Sequence, residues 1–74
     1  MDNKERMIAS LLTGANSDRP DVKVASLMAI GESGLIDDDR LVDTLEDAAK
    51  SNLPPMKKAA LTAIGSMLKN SSRQ

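Results

Sequence analysis

The segment Pro20-Asp21-Val22-Lys23-Val24-Ala25-Ser26-Leu27-Met28-Ala29-Ile30-Gly31 recurs 34 positions later as Pro54-Pro55-Met56-Lys57-Lys58-Ala59-Ala60-Leu61-Thr62-Ala63-Ile64-Gly65. Seven of the twelve positions are identical: the first Pro, the Lys, both Ala of the Ala-x-x-x-Ala pair, the Leu, the Ile and the Gly. Upstream, Met7, Ile8 and Leu11 fall at the same offset on Leu41, Val42 and Leu45. Self-similarity at a fixed period is the signature of repeat architectures. The sequence therefore predicts two copies of one unit, at about residues 3–35 and 36–69, followed by a flexible tail at 70–74.

Each unit is predicted to contain two helices. The outer helices, at about 3–14 and 37–50, carry apolar residues on one face only; in the second, these recur at i, i+1, i+4, i+7 and i+8. The inner helices, at about 19–33 and 53–69, are apolar over much more of their circumference, which indicates that they lie between their own outer helix and a neighbouring repeat. Gly14 is the predicted end of the first outer helix and Gly34 of the first inner helix. The fold class is therefore all-α, an α-α superhelix of two helical hairpins in a single domain, 1–74.

The starts and contacts of the inner helices follow from a few residue types. Asp18 and Asn52 are the predicted N-caps, because the prolines that follow are tolerated in a first helical turn. The alanine pairs Ala25/Ala29 and Ala59/Ala63 are predicted to let a neighbouring helix approach closely. Gly31 and Gly65 are expected to do the same on another side, since a glycine within a helix costs about 1 kcal/mol.

Composition excludes several classes of function. The chain has no Cys, no His and no aromatic residue. The usual zinc and haem ligands, histidine-dependent catalysis and stacking of bases on aromatic rings are therefore absent. No segment has the length of a signal peptide's apolar region or a membrane span. We expect a cytoplasmic protein that is not an enzyme and has no cofactor, no metal, no small-molecule substrate and no membrane partner.

The segment from Asp18 to Gly31 resembles the core pattern of HEAT repeats, especially the short HEAT-like repeats of phycobilisome-lyase-type proteins. That pattern is an Asp, a short turn, Val-Arg, then Ala and Ala-Leu-Gly; here Lys23 and Lys57 stand at the arginine position, and Asn52 replaces the aspartate in the second unit. The resemblance covers about residues 3–69. It implies an α-solenoid scaffold whose Asp and basic residue make contacts between adjacent repeats, and it implies no particular partner.

Three groups of residues invite a functional interpretation beside a structural one. Asp37-Asp38-Asp39 could hold Mg²⁺ or Ca²⁺ but lacks the spacing of a calcium loop, so acidic residues at a helix start are the favoured interpretation. Met28, Met56 and Met67 could form an adaptable binding surface or part of the core. Glu32 could act as a general base, yet no second catalytic group accompanies it.

Charge is distributed unevenly along the chain. The net charge of −1 divides into 0 for residues 1–20, −5 for 21–50 and +4 for 51–74. The basic residues Lys57, Lys58, Lys69 and Arg73 could engage phosphate, although four bases without aromatics give a weak nucleic-acid footprint. A solvated face followed by the tail is the simpler interpretation.

The main functional prediction comes from the number of repeats. About three are normally needed to cover the apolar faces of a solenoid, and this chain has two. We therefore predict an exposed patch on the second unit that serves self-association or the docking of another protein, through Met56, Lys57, Lys58, Leu61, Ile64, Met67, Leu68 and Lys69. This makes the chain a protein–protein interaction module or adaptor. The alternatives are a nucleic-acid or phosphate-binding module that uses the basic last helix, and a small regulatory subunit of an enzyme complex.

Overall fold

The computed structural model describes residues 2–72, which form four helices. These are α1 (Asn3–Ala15), α2 (Pro20–Ser33), α3 (Asp39–Ala49) and α4 (Pro54–Ser71). No strand occurs within the described residues. The two inner helices, α2 and α4, share the most extensive helix–helix contact, while α1 packs on α2 and α3 packs on α4. The predicted all-α fold of helical hairpins is confirmed.

The N-caps of the inner helices lie one residue later than predicted. The N-caps are Arg19 and Leu53, and neither makes a side-chain capping bond. Instead, the hydroxyls of the repeat-equivalent residues Ser17 and Ser51 accept hydrogen bonds from the N–H of Arg19 (3.1 Å) and of Leu53 (3.0 Å). The prediction that Asp18 and Asn52 are the caps was wrong, because a proline at the first helical position moves the cap to the residue before it.

The helix ends agree with the prediction at one glycine and differ at another. Gly34 ends α2 with a left-handed φ of 65°, a conformation that glycine adopts without a steric penalty. Gly14, the predicted end of α1, lies inside that helix, where the absence of a side chain lets Ser26 of α2 come close. Helix α4 continues past 69 through Ser71, so the predicted tail is helical at its start; Arg73 and Gln74 lie outside the described residues.

The core is aliphatic and lies where the four helices meet. Leu27, Ile30 and Leu41 are completely buried, as are the small residues Ala60 and Ala63 of α4. Alanines at this contact allow the backbones of α2 and α4 to approach closely. The closest approach is at Gly31, where a Cβ atom would overlap the carbonyl oxygen of Ala63 and lie 2.7 Å from its Cα. Gly31 is therefore a requirement of the contact between the two repeats.

Candidate interaction surface

The predicted partner-binding residues divide into a buried and an exposed group. Met56 and Met67 are 4% and 3% exposed and belong to the core, so their assignment to a contact surface is corrected: both point from α4 towards the rest of the bundle. Ile64 is half-buried and packs against the core. The remaining members of the predicted set are exposed on α4, namely Lys57, Lys58, Leu61, Leu68 and Lys69.

Four of the exposed members, together with Gly65, form one stripe along α4. Leu61 and Leu68 are 54% and 59% exposed, and Gly65 lies between them with no atom within 4 Å of the position a Cβ would take. Residues at i, i+4 and i+7 lie on the same side of a helix. Lys58 and Lys69 flank this apolar centre. We call these five residues, Lys58, Leu61, Gly65, Leu68 and Lys69, the α4 surface.

An apolar groove between α3 and α4 continues this surface. It is lined by Ile36, Val42, Leu45, Glu46, Ile64, Met67 and Leu68. Leu68 belongs to both the groove and the α4 surface, so the two form one continuous region. Exposed apolar area of this kind is a frequent property of protein contact sites.

A second exposed stripe lies on α2, where the sequence predicted contact with a neighbouring helix. Ala25 and Ala29 are exposed, in contrast to their counterparts Ala59 and Ala63. Val22 beside them is 39% exposed. We call the five residues Asp21, Val22, Ala25, Ala29 and Glu32 the α2 surface. The predicted close approach is thus found at Ala59, Ala63 and Gly31, and no helix of the described chain covers Ala25, Ala29 or Gly65.

The ion pairs that join helices centre on Arg40 at the start of α3. Its guanidinium donates to both carboxylate oxygens of Glu5 on α1, at 3.1 and 2.8 Å, and to Asp38 at 2.7 Å. These bonds lower the pKa of the Glu5 and Asp38 carboxyls below their ordinary values and raise that of Arg40. Sequence reasoning missed this contact, because Glu5 and Arg40 are 35 positions apart and nothing in their local pattern marks them as partners.

The acidic cluster has a structural explanation in the same place. Asp38 is the N-cap of α3, and its Oδ1 accepts a hydrogen bond from the N–H of Arg40 at 3.0 Å. Among the described residues, no group of three or more carboxylates is arranged to hold a metal ion. Asp18, Lys23 and Lys57 form no salt bridge within residues 2–72. The ionic contact between the repeats is therefore the one between Glu5 and Arg40.

Comparison of the chain with models of protein families, with curated proteins and with solved structures found no match. None of the four described helices is both long enough and apolar enough to cross a membrane.

Proposed function

We propose that this chain is a non-catalytic, HEAT-like protein-interaction module of the cytoplasm that binds another protein through the α4 surface. The observation that carries the proposal is the exposure of Leu61. Its repeat-equivalent, Leu27, occupies the same place on α2 and is fully buried, beside Met56 of the next inner helix. Leu61 is thus the residue type that is buried at this position in the first unit, and within the described chain no other helix covers it.

The energetic argument depends on Leu61 and Leu68. Burying a leucine side chain that was exposed contributes about 1.5–3 kcal/mol. Gly65 between them allows an incoming helix to approach the α4 backbone as closely as α4 approaches Gly31. A helix with small residues at its centre fits such a surface, because its backbone can come equally near.

A comparison of three variants tests the proposal. Leu61→Glu and Leu68→Glu each place a charge at the centre of the α4 surface, whereas Leu53→Glu makes the same change at a residue that is 62% exposed and outside that surface. We expect proteins captured by the immobilised wild type to be lost with the first two variants and retained with the third. Equal capture by all four proteins would contradict the proposal.

The alternative of phosphate or nucleic-acid binding is supported by a single observation. Lys57, Lys58 and Lys69 are all exposed on α4, and none of them forms a salt bridge within the described residues. This alternative predicts that single-stranded or duplex nucleic acid binds at about 50 mM salt and is released as salt increases. A double change of Lys57 and Lys58 to Glu would then abolish binding, while the uncharged substitution Leu61→Gln would leave it unchanged.

A further inference from the structure

The two inner helices carry the same residues but bury opposite sides. Leu27 and Gly31 of α2 are covered by α4, whereas their counterparts Leu61 and Gly65 are exposed. On the other side the relation is reversed. Met56, Ala59 and Ala63 of α4 are buried, whereas their counterparts Val22, Ala25 and Ala29 are exposed. The side of α2 that contacts α4 therefore has an uncovered counterpart on α4, and the side of α4 that contacts α2 has an uncovered counterpart on α2.

We propose that the partner of the α4 surface is a second copy of this chain, bound head to tail through its α2 surface. This inference rests on the proposed function and names the occupant of the same site. The two copies repeat between molecules the packing that α2 and α4 already have within one molecule. The contact within the chain predicts the residue pairs between copies. For each internal pair, 34 is added to the number of the first-unit residue, which gives its counterpart on one copy, and 34 is subtracted from the number of the second-unit residue, which gives its counterpart on the next copy.

The apolar pairs obtained in this way fit sterically. Within the chain, Gly31 faces the backbone of Ala63; the corresponding pair between copies is Gly65 and Ala29. Leu27 and Met56 line one cavity between the repeats; the corresponding pair is Leu61 and Val22, both of which are exposed in the single chain.

The end of the contact is not repeated in the same way. Gly34 packs against Asn70 within the chain, and a Cβ atom at Gly34 would lie 2.8 Å from the Asn70 backbone. Leu68, the counterpart of Gly34, therefore does not repeat this contact, and Ile36, the counterpart of Asn70, already lines a groove with Leu68 in the same chain. The packing repeated between copies is that of Gly65 with Ala29 and of Leu61 with Val22.

The charges are complementary as well. The ion pair between Glu5 and Arg40 joins the two repeats. Its counterpart between copies is Asp39 of one molecule with Arg6 of the next, again an acid opposite an arginine, and both residues are exposed. Arg6 has only a hydrogen bond of 3.4 Å to Asn3 in the single chain, so its guanidinium can turn to a carboxylate of the second copy.

A second pair of opposite charges appears near the start of α2. Val24 and Pro55 line one groove between the inner helices, and their counterparts are Lys58 of one copy and Asp21 of the next. Asp21 has an exposed contact of 3.5 Å with Arg19, which is weak enough to be exchanged. A basic α4 surface therefore meets an α2 surface that carries Asp21 and Glu32.

This contact joins two different surfaces, so it leaves one free α4 surface and one free α2 surface on every dimer. Such a heterologous contact continues to trimers and longer chains, or closes into a ring. A symmetric dimer, in which two α4 surfaces face each other, would stop at two copies. The two arrangements are thus distinguished by which variants assemble.

Sedimentation velocity over a range of concentrations tests the proposal with two single variants and their mixture. Ala29→Glu blocks the α2 surface and Gly65→Glu blocks the α4 surface; both positions are exposed, and far-UV circular dichroism checks that both variants remain folded. We expect the wild type to form oligomers that grow with concentration. Each variant alone should be monomeric, and an equimolar mixture should form dimers and nothing larger.

Two outcomes would overturn the proposal. One is a wild type that stays monomeric at millimolar concentration; the other is an Ala29→Glu variant that dimerises as the wild type does, which would indicate a symmetric contact. A monomeric wild type that still captures proteins in a Leu61-dependent manner would leave the proposed docking function intact and remove only the second copy as its partner.

Charge reversal provides an independent test of the register. Asp39→Arg and Arg6→Asp should each weaken self-association by about fivefold, because each places like charges opposite each other. The double variant that carries both changes should recover most of the loss. Absence of recovery, with both single variants folded, would show that Asp39 and Arg6 do not face each other and would overturn this register.

Discussion

Two glycines at equivalent positions of the repeat have opposite environments. Gly31 lies against the backbone of Ala63, so an added methyl group has no room unless the two inner helices move apart. Gly65 faces open space in the single chain. The same residue type is therefore required for packing in α2, whereas in α4 it occupies an exposed position with room for a side chain.

Alanine substitutions at these two positions should change stability in opposite directions. Gly31→Ala forces α2 away from α4 and should lower the free energy of unfolding by about 1–3 kcal/mol. Gly65→Ala should raise that of the monomer by up to about 1 kcal/mol, since alanine is the better helix former. Urea unfolding followed by circular dichroism at micromolar concentration measures both, and each variant is the control for the other. A stabilised Gly31→Ala variant would show that the inner helices are not in contact there.

The ion pairs of Arg40 should make stability depend on pH. Because its hydrogen bonds lower the pKa of Glu5 and Asp38 in the folded state, their contribution is present above the ordinary pKa of these carboxyls, about 4. It is lost as the pH falls through the lowered, folded-state values. Arg40→Met should therefore be less stable than the wild type at pH 7, with the difference decreasing towards pH 2.

The matched control for this experiment is Arg6→Met, which changes the repeat-equivalent arginine. Arg6 has no carboxylate partner among the described residues, so in the monomer this variant should follow the pH profile of the wild type. If Arg40→Met and Arg6→Met gave the same profile, the bonds of Arg40 would contribute nothing specific to the fold.

Helix α4 extends beyond its predicted C-terminal limit. Its last turn lies over the end of α2, where the amide of Asn70 donates to the carbonyl oxygens of Gly31 (3.5 Å) and Glu32 (3.3 Å). These carbonyls belong to the last turn of α2, where helical partners run out, and the carbonyl of Gly31 also accepts a hydrogen bond from the N–H of Gly34 (3.2 Å). The turn that the sequence assigned to a tail is therefore part of the contact between repeats.

Two truncated chains compare the contribution of Asn70 to stability with that of the residues after Ser72. A chain that ends at Lys69 should lose about 1 kcal/mol of stability or more, because each of the hydrogen bonds from Asn70 contributes roughly 0.5–1.5 kcal/mol. A chain that ends at Ser72 should unfold at the urea concentration of the full chain. Thermal or urea unfolding of both compares them directly, and identical midpoints would mean that the last turn adds no stability.

The sequence predicted the helices and their pairing because each 34-residue unit contains the apolar periodicity of its own two helices, and this periodicity is strong. Sequence reasoning failed where the burial of a residue depends on which helix lies opposite it. Ala29 and Ala63 are both followed by Ile-Gly, yet only Ala63 faces another helix. Met56 and Leu61 both belong to the apolar part of α4, and only the direction of the α2 contact determines that Met56 is buried and Leu61 exposed.

At the scale of the whole molecule, stability depends on a small core. For a chain of 74 residues, roughly 0.05–0.15 kcal/mol per residue corresponds to about 4–11 kcal/mol in total. A substitution that leaves one large cavity in the core removes a considerable part of this free energy of unfolding. The centre of the core is Leu27, which has no exposed surface and lies between the two repeats.

Truncation of two equivalent leucines should therefore have unequal effects. Leu27→Ala should cost about 2–5 kcal/mol, enough to unfold a large fraction of the molecules at 37 °C. Leu61→Ala, at the same position of the second unit, should cost less than about 1 kcal/mol in the monomer, because its side chain is already half in water. Thermal unfolding by circular dichroism measures both, and equal losses would contradict the assignment of Leu61 to the surface.

Gly34 and Leu68 occupy the same position of the two units, and this difference decides the direction of the chain. At Gly34 the backbone takes a left-handed turn and α2 stops after 14 residues, whereas at Leu68 the helix goes on and α4 reaches 18. The inner helix of the second hairpin is therefore longer than that of the first. The additional residues of α4 carry Asn70 over the C-terminal end of α2, where its amide donates to two backbone carbonyls. The residue type at this one position therefore determines whether the helix ends or extends onto its neighbour.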